Sequence, residues 1–89
     1  MKIICSELYE KQLKEILSEI ASHDFKTAKD FKTYLDTIII NAPTKSRKYK
    51  QSVFFDDENI KDIEYDKYTI PLLIDDENDS YIVLGIVKK

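Results

Sequence analysis

The last thirty residues, Ile60 to Lys89, constrain the fold of this chain most tightly. Ile60, Ile63 and Tyr65 fit a strand that is irregular at one end. Tyr68, Ile70, Leu72 and Ile74 alternate at the period of two that a half-buried strand requires, and Tyr81, Val83, Gly85 and Val87 do the same. Asp75 to Ser80 separates the last two runs as a polar turn. Ile82, Leu84 and Ile86 make the final run apolar on both faces, which predicts a central place in the sheet. Pro71 removes a ladder donor from the middle of the cleanest run, so a bulge or an unpaired side is expected there.

Everything before this meander reads as helix, apart from a short β-prone run, Lys2 to Cys5. Ser6 is a suitable N-cap, with Glu7 and Glu10 in the first turns, where the helix dipole favours anions. Tyr9, Leu13, Ile16, Leu17 and Ile20 then form one apolar face, with Lys11, Lys14, Glu15 and Glu19 on the wet side. Ser22-His23-Asp24 breaks this helix, and Asp24 can cap the next. Ala28, Phe31, Leu35, Ile38 and Ile39 repeat the stripe as far as Asn41-Ala42-Pro43, where a stop is expected. So short a connection predicts an antiparallel hairpin. After it, Val53-Phe54-Phe55 reads as an apolar anchor or a short strand.

The 89 residues suit a single domain, 1–89, and 43% apolar with 35% charged residues is the balance of a folded chain. Cys5 has no intramolecular disulfide partner and is expected to act as a small buried hydrophobe. No apolar run approaches the roughly 20 residues needed to cross a bilayer, nor does a signal-like region follow Met1; no membrane partner and a cytoplasmic location are the expectation.

The net charge of −3 argues against nonspecific nucleic-acid binding, but the charges are segregated. Lys45, Arg47, Lys48 and Lys50 occur without an intervening acid, and Tyr49 is interleaved among them. With Lys61, Lys88 and Lys89 they form a candidate surface for phosphate contact, Tyr49 being available for stacking. The competing reading is a solvated loop. Glu64 and Tyr65 are weak acid and base candidates, against an outer carboxylate and a packing aromatic. His23 reads as a surface residue. Asp-Asp-Glu-Asn occurs at 56–59 and again at 75–78; both copies read as solvated turns. They lack the glycine and ligand spacing of a calcium loop, so neither a metal nor another cofactor is expected.

Three segments together resemble the RelE/ParE superfamily of bacterial type II toxins. They are Ala28, Phe31 and Leu35 followed by Pro43; Ile60-Lys61-Asp62-Ile63 leading into Tyr68-Thr69-Ile70; and an acidic turn before Ile82-Val83-Leu84-Gly85-Ile86-Val87-Lys88. The resemblance covers nearly the whole chain and implies an α+β fold: a short N-terminal strand, an antiparallel helix hairpin, then a three-stranded antiparallel meander in one sheet (β-α-α-β-β-β). It implies a toxin neutralised by a cognate antitoxin, as a homodimer or a heterotetramer with it. ParE-like members poison DNA gyrase, whereas RelE-like members cut messenger RNA on the ribosome. In the nucleolytic members an arginine typically follows the tyrosine that opens the third strand; here Thr69 follows Tyr68. Those members also carry a basic residue at the end of the last strand, matched by Lys88 and Lys89, and then a segment supplying Tyr or His, which has no counterpart here. The resemblance therefore favours a toxin that acts by binding. A ribosome-dependent endoribonuclease and an inactive relative that only binds antitoxin stand as alternatives.

Overall fold

A computed structural model describes residues 1–89. Strand β1 (Lys2–Cys5) leads into helices α1 (Glu7–His23) and α2 (Phe25–Lys45), and one 3-10 turn, Ser46–Lys48, follows. Strands β2 (Lys50–Gln51), β3 (Ile60–Tyr65), β4 (Tyr68–Asp75), β5 (Ser80–Val83) and β6 (Val87–Lys88) complete the chain. The sheet runs β1-β5-β4-β3-β2, with β6 also pairing β4. Only β1 is parallel to its neighbour, β5; the pairs from β2 to β5 are antiparallel. This is the expected N-terminal strand, helical hairpin and meander, with β5 central between β1 and β4.

The caps form where the sequence places them. The Ser6 hydroxyl accepts from the Tyr9 N–H at 3.0 Å, and the Asp24 carboxylate accepts from the Lys26 N–H at 3.1 Å. The Thr27 hydroxyl and the Lys26 N–H hold the Asp24 carboxyl below the usual range. Helix α2 does not stop at Asn41-Ala42-Pro43; it runs on to Lys45 with Pro43 inside it. Pro43 removes only one donor in the final turns, and side chains serve the carbonyls there. Thr44 Oγ1 donates to Asn41 O (2.9 Å), Asn41 Nδ2 to Thr37 O (2.9 Å) and Ser46 Oγ to Pro43 O (3.2 Å).

The two helical stripes close on one face of the sheet. Tyr9 and Leu13 from α1 and Phe31, Leu35, Ile39 and Ala42 from α2 meet Ile63, Tyr68, Ile70, Leu72, Val83 and Ile86. Phe31 packs its ring 5.1 Å from Tyr65 and 5.5 Å, edge-on, from Tyr68. The Tyr9 hydroxyl is sealed in this core without a hydrogen-bond partner. Burial, followed by the nearby Cys5, Asp36 and Glu10, pushes its pKa far up. An unpaired buried hydroxyl costs free energy rather than supplying it. Tyr9→Phe is therefore expected to match the parent or gain up to about 1 kcal/mol in thermal melts. A loss larger than that would show that the hydroxyl has a partner.

The bulge expected at Pro71 is present, and it lies on the strand opposite. Leu72 pairs with Val83 and Thr69 with Val87, so β4 spends two residues where the last strand spends three, Leu84 to Ile86. The Leu84 N–H still donates to Pro71 O at 2.9 Å, but Pro71 has no N–H to return. Helix α1 takes up the backbone groups left over. Ser6 Oγ donates to Leu84 O at 2.8 Å, and Gln12 Oε1 accepts from the Ile86 N–H at 2.9 Å. A proline in one strand thus determines where the hairpin is fastened to the sheet.

Two further expectations fail at strand edges. Cys5 is exposed, because β1 is an edge strand with nothing packed beyond it. Val53-Phe54-Phe55 is neither strand nor anchor; Val53 is 83% exposed, and both phenylalanines are exposed. The edge of β3 is taken instead by Lys50–Gln51. The ladder ends when the Ser52 N–H donates to Ile60 O, after which the Asp62 carboxylate captures the Val53 N–H at 3.0 Å. No helix is long and apolar enough to cross a membrane.

Candidate functional site

The basic segment is presented by the end of α2. Ser46 is buried and turns the chain, leaving Lys45, Arg47, Lys48 and Lys50 exposed and free of ion pairs. Tyr49 is half-buried against the core, and burial raises its pKa. It fixes the segment rather than offering a free ring for stacking. In β2, Lys50 stands opposite Asp62 and Gln51 opposite Lys61. Alternation therefore puts Lys50 on the face away from the helices and Lys61 on the face toward them.

Lys88 and Lys89 are not part of this cluster. Lys88 pairs with Tyr68, four residues along the sheet from the Lys61 row, about 13 Å away. Lys89 is engaged: its Nζ lies 2.7 Å from Glu64 Oε2, and its N–H donates to Lys67 O. The structure thus divides the sequence candidates between two places. One is the exposed, unpaired quartet near the β2–β3 corner, with Lys61 on the other face there; the other is a neutralised Lys89–Glu64 pair with Lys88.

Glu64 also accepts from Thr69 Oγ1 at 3.3 Å. Tyr65, its neighbour in β3, points to the opposite face, where its hydroxyl donates to Phe31 O at 3.2 Å. Burial, then Asp66 and Tyr34, raise the Tyr65 pKa, so the phenol stays protonated at neutral pH. The two residues are held by structural contacts on opposite faces and do not converge on one phosphate. His23 is exposed in the last turn of α1. Both Asp-Asp-Glu-Asn turns are exposed at their acidic residues except for the half-buried Asp75, and both come to one end of the sheet, where the Ile74 N–H donates to Asn59 O at 2.8 Å. No three His, Cys, Asp or Glu side chains are placed to hold a metal ion.

One polar residue escapes sequence reasoning. Asp62 is 7% exposed, with Oδ2 on the Val53 N–H and Oδ1 without a partner. It anchors the start of the loop that displays Val53, Phe54 and Phe55. The available signal was an acid inside the apolar run Ile60-Lys61-Asp62-Ile63, but its role depends on β2 ending beside it.

Outside these strands, α1 and α2 border a groove of about 1030 Å³. Leu13, Leu17, Ala21 and Ala28 line it, with Lys11, Lys14, Lys29 and Lys32 among its polar residues. No model of a known protein family matches the chain, and no curated protein matches it.

Proposed function

We propose that this chain is the toxin of a bacterial type II toxin-antitoxin pair, related to the RelE/ParE superfamily. It is held inactive by a cognate antitoxin and acts by binding its target, DNA gyrase. The observation that carries this reading is the topology: one strand, a helical hairpin and a meander, with β1 laid parallel beside β5. Two features favour binding over RNA cleavage. Thr69, at the position where nucleolytic relatives carry an arginine, is buried and bonded to Glu64, and the cation beside it, Lys89, is paired with that same carboxylate rather than free to meet a phosphorane. Glu64 and Tyr65, the acid and base candidates, face opposite ways.

The target surface in this reading is the exposed quartet Lys45, Arg47, Lys48 and Lys50. Induced expression in a bacterium is expected to stop growth and to raise a DNA-damage reporter while pulse-labelled translation continues. Translation falling first would move the target to the ribosome. Replacing the quartet by alanine is expected to abolish the arrest; unchanged toxicity would reject this surface. Normal growth with confirmed soluble protein would leave only the reading of a relative that binds antitoxin without being toxic.

A further inference from the structure

The loop between β2 and β3 displays Val53, Phe54 and Phe55 at 83%, 53% and 42% exposure, the only three consecutive large apolar side chains that the chain leaves in water. Its backbone is pinned in that position. The Asp62 carboxylate holds the Val53 N–H at 3.0 Å, Ser52 Oγ the Phe54 N–H at 3.2 Å, and Asp57 Oδ1 the Asn59 N–H at 2.8 Å. A tip fixed in this way loses little conformational freedom on binding, and exposed apolar side chains grouped together mark an interaction site. The charges around it are polarised. Lys48 and Lys50 precede the tip, and Asp56, Asp57 and Glu58 follow it directly; all are exposed and without ion-pair partners.

The groove bordered by α1 and α2 carries the complementary pattern. Leu13, Leu17 and Ala28 give it an apolar floor, with Leu13 and Ala28 buried and Leu17 half-buried. Lys11 and Lys14 from α1 and Lys29 from α2 stand over that floor, exposed and free of ion pairs. The acids of the groove, Glu10 and Asp36, lie together at one end. A chain does not fill its own groove: no residue of the loop lines it, and the Ser52 N–H on Ile60 O and the Ile74 N–H on Asn59 O fasten the loop to the sheet. We infer that Val53-Phe54-Phe55 docks in the α1–α2 groove of a second copy of this chain. The rings then cover the apolar floor, Asp56, Asp57 and Glu58 meet the lysines, and Lys48 and Lys50 lie toward Glu10. Both ends of each surface find opposite charge, which sets the direction of docking as well as the partner. A nucleic acid or an anionic membrane offers negative charge alone and would be repelled by the three loop acids. The contact joins two different surfaces, so every copy offers one tip and one groove. It does not rest on the toxin reading.

The test is sedimentation equilibrium of the purified chain over a range of concentrations. The average mass of the parent is expected to rise with concentration, and to rise less at high salt. A loop reversal, Asp56→Lys with Glu58→Lys, and a groove reversal, Lys14→Glu with Lys29→Glu, change exposed side chains only. Each alone is expected to weaken self-association at least about tenfold, because lysines then face lysines or acids face acids. In an equal mixture the two are expected to recover to within about threefold of the parent, since each altered tip finds an altered groove and each native tip a native groove. Phe54→Ser with Phe55→Ser, which leaves every charge in place, is expected to weaken association as much as either reversal. A parent that stays monomeric up to about 1 mM, variants that associate like the parent, or a mixture no better than its components would overturn the proposal. The readout is mass and not growth, so failure here leaves the toxin reading standing.

Discussion

Leu72→Ala is expected to lower the unfolding free energy by about 3–4 kcal/mol. Leu72 is fully buried, in the middle of β4, opposite Lys61 on one side and Val83 on the other. Its side chain lies on the face that meets the helical hairpin, within a cluster drawn from both helices and three strands. Removing it takes methyl and methylene groups from the centre of the only core, and both sheet neighbours are held by ladder bonds that resist collapse into the space. A chain of this length commands a total of roughly 5–13 kcal/mol, so the variant stands near its unfolding threshold. Urea denaturation should show the midpoint falling sharply with an unchanged slope. A loss below about 1 kcal/mol would mean that this layer is not close-packed.

The second large effect lies at the bulge. Gly85 is buried, and a Cβ there would meet Gln12 Oε1 at 2.8 Å. That oxygen is the partner of the Ile86 N–H. Gly85→Ala pushes the amide away and strands the N–H; Gln12→Ala strands the same N–H by deletion. Each is expected to cost about 1–3 kcal/mol, the desolvation penalty of one unmet buried donor. The double variant is expected to cost about as much as either single one, because the same bond can be lost only once. Additive losses would show that Gly85 and Gln12 act separately, and that the close approach of α1 to the last strand is not what requires a glycine.

Much of this architecture was legible in local patterns. The stripes from Tyr9 to Ile20 and from Ala28 to Ile39 mark the two helices, because an apolar face at helical spacing has one economical place to go. Ser6 and Asp24 announce the caps, since their side chains bond N–H groups two and three residues on. The meander shows in alternation, and Pro71 signals its own irregularity. What was not legible depends on contacts distant in sequence. Pro43 lies inside α2 two residues before its end, where it costs one ladder bond and the Thr44 and Ser46 hydroxyls bond nearby carbonyls. The end of β2 is decided by Asp62 reaching across to Val53, and the exposure of Cys5 by β1 having no outer neighbour.

The candidate site was legible as composition but not as geometry. The cation quartet is exposed as expected, yet Tyr49 packs inward and Lys89 is spent on Glu64. Strand parity, which separates Lys50 from Lys61 and Glu64 from Tyr65, follows only once the register is known. The lysines of the α1–α2 groove looked like ordinary wet-face residues. Only the packed hairpin brings those of both helices together above an apolar floor.

The central claim is that this fold serves a toxin acting through the basic corner at β2 and β3. Viable counts after induced expression test it most directly, with parent and the Lys45, Arg47, Lys48 and Lys50 alanine variant confirmed soluble at equal levels. The account predicts arrest by the parent and normal growth with the variant. Equal growth inhibition by both, or none by the parent, would contradict it.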